Sequence, residues 1–116
     1  MSFKSNEFLD DILCELDYLV EVKSSLKSFS EFENDETLKR AVCRSFEIIG
    51  EATKNLPEET RTNNSEIPWK EMAGLRDFLI HSYGDVDYGK IFEFVIDEVS
   101  DLKNKIEILN NKLNNG

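Results

Sequence analysis

Residues 92–113 read FEFVIDEVSDLKNKIEILNNKL, and this stretch decides the fold class. Alternating spacings of three and four residues place its main apolar side chains on one side of an α-helix, as in a coiled-coil seam. The seam consists of Phe92, Val95, Val99, Leu102, Ile106, Leu109 and Leu113. No segment of the chain shows the sustained period-two alternation of β-branched residues that favours strands. The stretch therefore predicts a long helix with one buried face.

Three further segments toward the N-terminus show the same helical periodicity. The predicted helices run over about residues 5–29, from Asn34-Asp35 to about Leu56, and from Trp69 to about Tyr83. Asp35 and Asp87 suit N-caps, Pro57 can open a short extra turn, Pro68 suits a helix start and Gly84 a helix end. With 116 residues, two Pro and five Gly, the chain is predicted to form one all-α domain over residues 1–116. The expected architecture is an antiparallel up-down bundle of four main helices, possibly with one extra short helix.

The bulk composition limits the class of protein. No apolar run reaches the ~18 residues that span a membrane, and the N-terminus lacks the order of a secretion signal, so a cytoplasmic protein is expected. Cys14 and Cys43 are expected to be reduced, partly buried thiols, since neither has a second ligand at metal-binding spacing. The net charge of −10 opposes nonspecific nucleic-acid binding. It is compatible with a basic protein partner, or with a local positive site inside a dimer cleft.

Arg76 interrupts the apolar stripe of the third predicted helix. Met72, Leu79, Ile80 and Tyr83 share one face at helical spacing, and Arg76 lies among them. An unpaired guanidinium against an apolar surface is costly. The side chain therefore reaches water by snorkelling, forms an ion pair, or lines a wet cleft.

Asp77, His81 and Tyr83 follow Arg76 on the same predicted helix. His81, the only histidine, lies four residues after Asp77, whose carboxylate could orient the imidazole. Tyr83 lies seven residues after Arg76 and is nearly aligned with it. This group could handle a phosphate, although a lone His at a helix end is also the ordinary partner of the helix dipole.

The segment from Arg76 to Tyr83 matches Arg-x4-His-x-Tyr and resembles the signature of the HepT-like toxins within the HEPN superfamily. The neighbouring sequence resembles the same family in a second-helix segment that ends in Ile-Gly-Glu-Ala, in an Ile-Pro-Trp…Gly-Leu-Arg run, and in the loop before the last helix. These segments are residues 45–52, 67–76 and 84–87. The resemblance extends over about residues 8–113. The helix-interior glycines Gly50 and Gly74 fit such a family if helices approach closely around the site.

The resemblance implies an endoribonuclease toxin of a type VII toxin–antitoxin pair. The enzyme that the resemblance implies needs neither a metal nor a cofactor. His81 would act as general acid or base, Arg76 would stabilise charge on the phosphate, and a homodimer would bring two motif copies into one cleft. The implied partner is a minimal nucleotidyltransferase antitoxin that transfers AMP to Tyr83. Many relatives carry Asn where this chain has Asp77, and the additional carboxylate makes the predicted pocket less positive.

Two other interpretations remain open at this point. A HEPN dimer could bind a nucleotide, or regulate a nucleotidyltransferase, without cleaving RNA. The chain could also be a purely structural bundle. Growth arrest on expression, lost in His81→Ala, would separate a toxin from the binding module.

Overall fold

The computed structural model describes residues 3–79 and 86–115, with side chains from Glu7 onward. Overall, 83% of the structure is helical, and none of the described residues lies in a strand. The α-helices are α1 (Phe3–Ser25), α2 (Phe29–Glu33), α3 (Glu36–Asn55), α4 (Glu58–Thr62), α5 (Trp69–Ala73), α6 (Tyr88–Asp97) and α7 (Val99–Asn115), and a 3₁₀-helix covers Gly74–Phe78. The predicted all-α class is confirmed.

Helix α1 is the centre of the bundle and packs against both α3 and α7. Near one end of α1, Lys23 Nζ donates to Ser100 Oγ at 3.2 Å. Near the other end, Asn110 Nδ2 donates to Asp10 Oδ1 at 3.0 Å. Residue numbers rise along α7 as they fall along α1, so the two helices are antiparallel, as the bundle prediction requires.

The apolar stripes of the long helices form one buried core. Burial of these side chains is the main source of folding free energy in a domain of this size. The fully buried members include Leu9, Ile12, Leu16 and Leu19 of α1, Val42, Phe46 and Ile49 of α3, and Val99 and Ile106 of α7. The seam predicted from residues 92–113 therefore faces the core, with Phe92 and Leu113 packed at its margin.

The predicted helix starts are mostly confirmed. Asp35 Oδ1 accepts a hydrogen bond from Leu38 N at 3.0 Å and caps α3. Asp87 Oδ1 accepts one from Lys90 N at 3.1 Å and caps α6. The short helix α4 begins directly after Pro57, where an extra turn was predicted.

Two of the predicted long helices are divided in the structure. The first ends at Ser25, and α2 begins after Ser28, whose side chain accepts from Glu31 N and caps the new helix. The last is interrupted at Glu98, between α6 and α7. Amphipathic periodicity continues across both breaks, which is why the sequence pattern alone did not reveal them.

The prediction of one continuous third helix is wrong. α5 has five residues, and from Gly74 the chain tightens into a 3₁₀-helix. Glycine is a poor helix former, and 3₁₀ turns are common where a helix ends. The 3.6-residue periodicity that aligned Arg76 with Met72, four positions earlier, therefore does not hold from Gly74 onward. The predicted end at Gly84 lies outside the described residues.

Two bulk predictions can be compared with the described part of the chain. No described helix is long and apolar enough to cross a membrane. Both cysteines are free. Cys43 is partly buried, as expected, but Cys14 is exposed because it lies on the outer side of α1.

Candidate functional site

Arg76 extends from the 3₁₀-helix to α3 and forms an ion pair there. Its Nη1 donates to Glu51 Oε2 at 3.1 Å. The Arg76 side chain is 37% exposed and that of Glu51 63% exposed, so the pair lies at the edge of the bundle. Of the three possibilities open for Arg76, the structure shows two together, since the side chain is paired and also lines a cleft.

Gly50 provides the space that the Arg76 side chain occupies. A Cβ atom at position 50 would lie 2.8 Å from Arg76 Cγ and 3.3 Å from Cδ, and it would also approach the Ala73 carbonyl oxygen at 3.4 Å. The 2.8 Å distance is shorter than real Cβ contacts, so the Arg76 side chain would have to shift to admit a Cβ at this position. The close approach expected at Gly50 is thus confirmed. Gly74 is different, because among the described residues a Cβ there would meet only Asp77 Oδ2, at an ordinary 3.7 Å.

The guanidinium lines a cleft of about 280 Å³ between α1, α3 and the 3₁₀-helix. One face of α3 provides most of the wall, because its contributing residues recur every three or four positions. The charged and amide side chains in the wall are Asp11, Arg44, Glu47, Glu51, Asn55 and Arg76. Three carboxylates thus share the cleft with two guanidinium groups, so the part of the cleft that the described residues line is not a positive pocket.

The other predicted site residues are only partly placed. Asp77 is exposed and does not line the cleft. The structure therefore does not place it with Arg76 and Glu51 in the cleft wall. His81 and Tyr83 lie outside the described residues. The two flanks of their segment meet, because Asp87 N donates to Phe78 O at 3.3 Å. Phe78 in turn packs against the buried Phe46, with ring centroids 6.4 Å apart. The described residue Asp87 thus lies beside Phe78, the last residue of the 3₁₀-helix that carries Arg76.

Comparison with known proteins decides the family. The sequence model of the family described as "Ribonuclease HepT-like" matches residues 15–109. The chain belongs to this family. This confirms the resemblance predicted from the sequence and the class of enzyme, a ribonuclease.

Several relatives of the HepT-like chain carry provisional RNase names. One, an RNase by that name from Caldanaerobacter subterraneus subsp. tengcongensis, is 46% identical over 100 residues, which cover 86% of this chain and 88% of the relative. A Methanocaldococcus jannaschii protein with the same kind of name is 43% identical over 103 residues, 88% of this chain and 84% of the relative. A Thermococcus cleftensis protein provisionally named ribonuclease HepT is 38% identical over 109 residues, 94% and 98% of the two chains. No solved structure matches the chain.

Glu51 is a residue of this HepT-like site that sequence reasoning missed. It belongs to the Ile-Gly-Glu-Ala segment through which the chain resembles the family, so a signal was present in the sequence. Its contact with Arg76 joins positions 25 apart and could not be read from helical spacing. Arg44 was also missed, because nothing in its local sequence separates it from an ordinary surface arginine. No group of three or more His, Cys, Asp or Glu side chains within residues 7–79 and 86–115 is placed to hold a metal ion.

Proposed function

We propose that this chain is the toxin of a type VII toxin–antitoxin pair and acts as a metal-independent endoribonuclease. The observation that supports this best is the placement of Arg76. Its guanidinium lines an open cleft, its aliphatic part packs over Gly50, and its head group binds Glu51. A cation so held is suited to stabilise the charge of a phosphodiester during its cleavage.

The proposed reaction is transesterification within the RNA strand. The ribose 2′-oxygen forms a bond to the adjacent phosphorus, and the bond from phosphorus to the 5′-oxygen of the next nucleotide breaks. His81 takes the proton of the 2′-hydroxyl or supplies one to the leaving oxygen, since an unperturbed imidazole has a pKa of about 6.5. Arg76 neutralises the non-bridging oxygens. A guanidinium has five N–H donors, and the bond to Glu51 is its only hydrogen bond within the described part of the chain, so donors remain for a phosphate.

A homodimer is part of the proposal. Each chain has one His, whereas the reaction needs both a base and an acid, and two chains would supply both. The described apolar residues of the motif segment do not add support for the dimer, because they pack within their own chain. Met72 is fully buried in the core of its own chain, and Leu79 packs against that core. Sedimentation at micromolar concentration tests the proposal, and a monomer would contradict it.

The antitoxin is proposed to be a minimal nucleotidyltransferase that transfers AMP to the Tyr83 hydroxyl. The hydroxyl oxygen would bond to the α-phosphorus of ATP, and pyrophosphate would leave. The added phosphate would compete with RNA for Arg76 through the same charge-assisted hydrogen bonds. Co-expression with the neighbouring nucleotidyltransferase followed by intact-mass measurement tests this. An unchanged mass, or a gain of AMP that persists in Tyr83→Phe, would contradict it.

The decisive experiment combines growth and RNA cleavage. Expression should arrest growth, and the purified chain should cleave RNA in the presence of a chelator. Arg76→Ala and His81→Ala should each abolish both effects while retaining the helical circular dichroism spectrum. Arg40→Ala is the matched control for Arg76→Ala, because it removes an arginine that is 81% exposed and outside the cleft. Full cleavage by His81→Ala would reject the assignment.

The second candidate is a dimer that binds a nucleotide, or regulates a nucleotidyltransferase, without cleaving RNA. The acidic side chains of the cleft favour it, because Asp11, Glu47 and Glu51 repel an RNA strand. Asp77 adds to the negative charge beside Arg76. This candidate predicts nucleotide binding that depends on Arg76, together with the absence of growth arrest and RNA cleavage.

A further inference from the structure

Helix α3 holds Arg76 at two successive points. Gly50 lies against the aliphatic part of the side chain, where a Cβ atom would be 2.8 Å from Cγ. The next residue, Glu51, accepts a hydrogen bond from Nη1 at 3.1 Å. An arginine side chain has several rotatable bonds and loses considerable freedom when its head group is fixed. Contacts at both the stem and the head restrict that freedom far more than either contact alone.

Folding stability does not account for the Glu51–Arg76 pair. The Glu51 side chain is 63% exposed, and ion pairs at this level of exposure contribute little to stability because water and salt screen them. A carboxylate in this cleft also lowers the affinity for RNA, since it repels phosphate. Its placement is explained if the orientation of the guanidinium matters to the reaction.

We propose that Glu51 is a positioning residue that orients the Arg76 guanidinium toward the phosphate of the substrate. This proposal rests on the ribonuclease function proposed above. Glu51 itself does not contact the reacting atoms. It occupies one N–H of the guanidinium and thereby directs the remaining donors into the cleft. A fixed donor stabilises a transition state better than a mobile one, because it needs no reorganisation during the reaction.

The proposal predicts that Glu51 affects kcat and KM for RNA through two separate properties, its hydrogen bond and its charge. Removing the carboxylate releases Arg76 and lowers kcat, and it also removes a negative charge and lowers KM for RNA. Glu51→Ala should reduce kcat about 10- to 100-fold, the range expected when a catalytic group is misplaced by about 1 Å. Glu51→Gln should keep most of the wild-type kcat, because the amide oxygen still accepts the hydrogen bond, while its KM should fall as in Glu51→Ala.

Glu47→Ala is the charge-matched control. Glu47 lies one turn earlier on α3, lines the same cleft, and approaches Arg44 at 4.0 Å instead of Arg76. Its removal should lower KM without the loss of kcat seen in Glu51→Ala. Equal kcat in Glu51→Ala and wild type would overturn the proposal. The proposal would also be overturned if kcat fell equally in all three variants and in proportion to a smaller fraction of folded protein. The three variants are Glu51→Ala, Glu51→Gln and Glu47→Ala.

A second measurement does not depend on RNA cleavage. In a sample labelled with ¹⁵N-arginine, the side-chain signals of Arg76 are assigned by their absence in Arg76→Lys, and rotation about the guanidinium Cζ–Nε bond is measured by exchange. We expect slow rotation in wild type and Glu51→Gln and fast rotation in Glu51→Ala. If wild type shows slow rotation but does not cleave RNA, the proposed function fails while the holding role of Glu51 stands. Fast rotation in wild type would overturn that role.

Discussion

At the scale of single residues, the two glycines beside the site have different roles. The sequence argument treated Gly50 and Gly74 alike, as helix-interior residues that permit a close approach. Among the described residues, a Cβ at Gly50 would meet the stem of Arg76, whereas one at Gly74 would meet only the nearby Asp77 side chain. A larger side chain at position 50 should therefore lower activity by displacing Arg76. A substitution at position 74 should change only the free energy of unfolding, through the backbone preference of the new residue.

Gly50→Ala should lose ribonuclease activity without losing the fold. The new Cβ would stand 2.8 Å from Arg76 Cγ and would displace the guanidinium from Glu51. Gly74→Ala is the matched control and should keep activity while gaining about 0.4–1 kcal/mol of unfolding free energy. Cleavage rates and urea unfolding of both variants test this. Wild-type activity in Gly50→Ala would show that the approach does not constrain Arg76.

The two cysteines should differ in reactivity. Burial raises the pKa of the Cys43 thiol, and the nearby Glu47 carboxylate raises it further, so less thiolate forms at a given pH. Cys14 is exposed. Alkylation followed near pH 8 should be faster in the Cys43→Ser variant, which retains Cys14, than in Cys14→Ser. Because its pKa is raised, the Cys43 rate should keep rising to higher pH than that of a free cysteine in solution. Equal rates in the two variants would contradict the burial of Cys43.

At the scale of secondary structure, α3 is the element on which the site depends. It supplies Gly50, Glu51 and most of the cleft wall, and its first turn is closed by the Asp35 side chain, which accepts a hydrogen bond from Leu38 N. Asp35→Ala should lower the unfolding free energy by about 1 kcal/mol, as for other lost N-caps. Asp35→Asn should lose much less, because the Asn side chain can still cap. Denaturant unfolding measures both, and equal losses would show that charge, not the cap, matters at this position.

The element containing Arg76 shows where periodicity misleads. The residues from Met72 onward fit one helical face, but the chain leaves α-helical geometry at Gly74. Helical spacing correctly singled out Arg76 as an unusual residue in an apolar stripe. It could not supply the direction of the side chain, since that depends on a 3₁₀-helix packed against α3.

At the scale of the whole molecule, the acidic surface should make RNA binding weakly dependent on salt. The chain carries a net charge of −10, and the described cleft has three carboxylates with two guanidinium groups. Each phosphate neutralised on a single strand adds about −0.7 to the slope of log affinity against log salt. With one Arg76 from each subunit of the proposed dimer, the slope should be no steeper than about −2. Binding by an inactive His81→Ala chain between low and moderate salt measures it, and a slope near −5 would indicate an extended basic surface.

The sequence by itself determined the helical class, the buried stripes, most of the caps and the family. These properties depend on local spacing and on residue types, which the chain carries directly: the seam from Phe92 to Leu113, the capping Asp35 and Asp87, and the Arg76–Tyr83 motif. The importance of Arg76 could also be inferred locally, because a charged residue among apolar ones requires an explanation.

Only the tertiary structure decided what Arg76 contacts. The Glu51 carboxylate and the space at Gly50 lie about 25 positions earlier in the chain, and packing of the 3₁₀-helix on α3 brings them to Arg76. Met72, which precedes the 3₁₀-helix, is fully buried in the core of the same chain. Pairing between distant segments depends on how whole helices pack, and the spacing of residues within one helix does not carry that information.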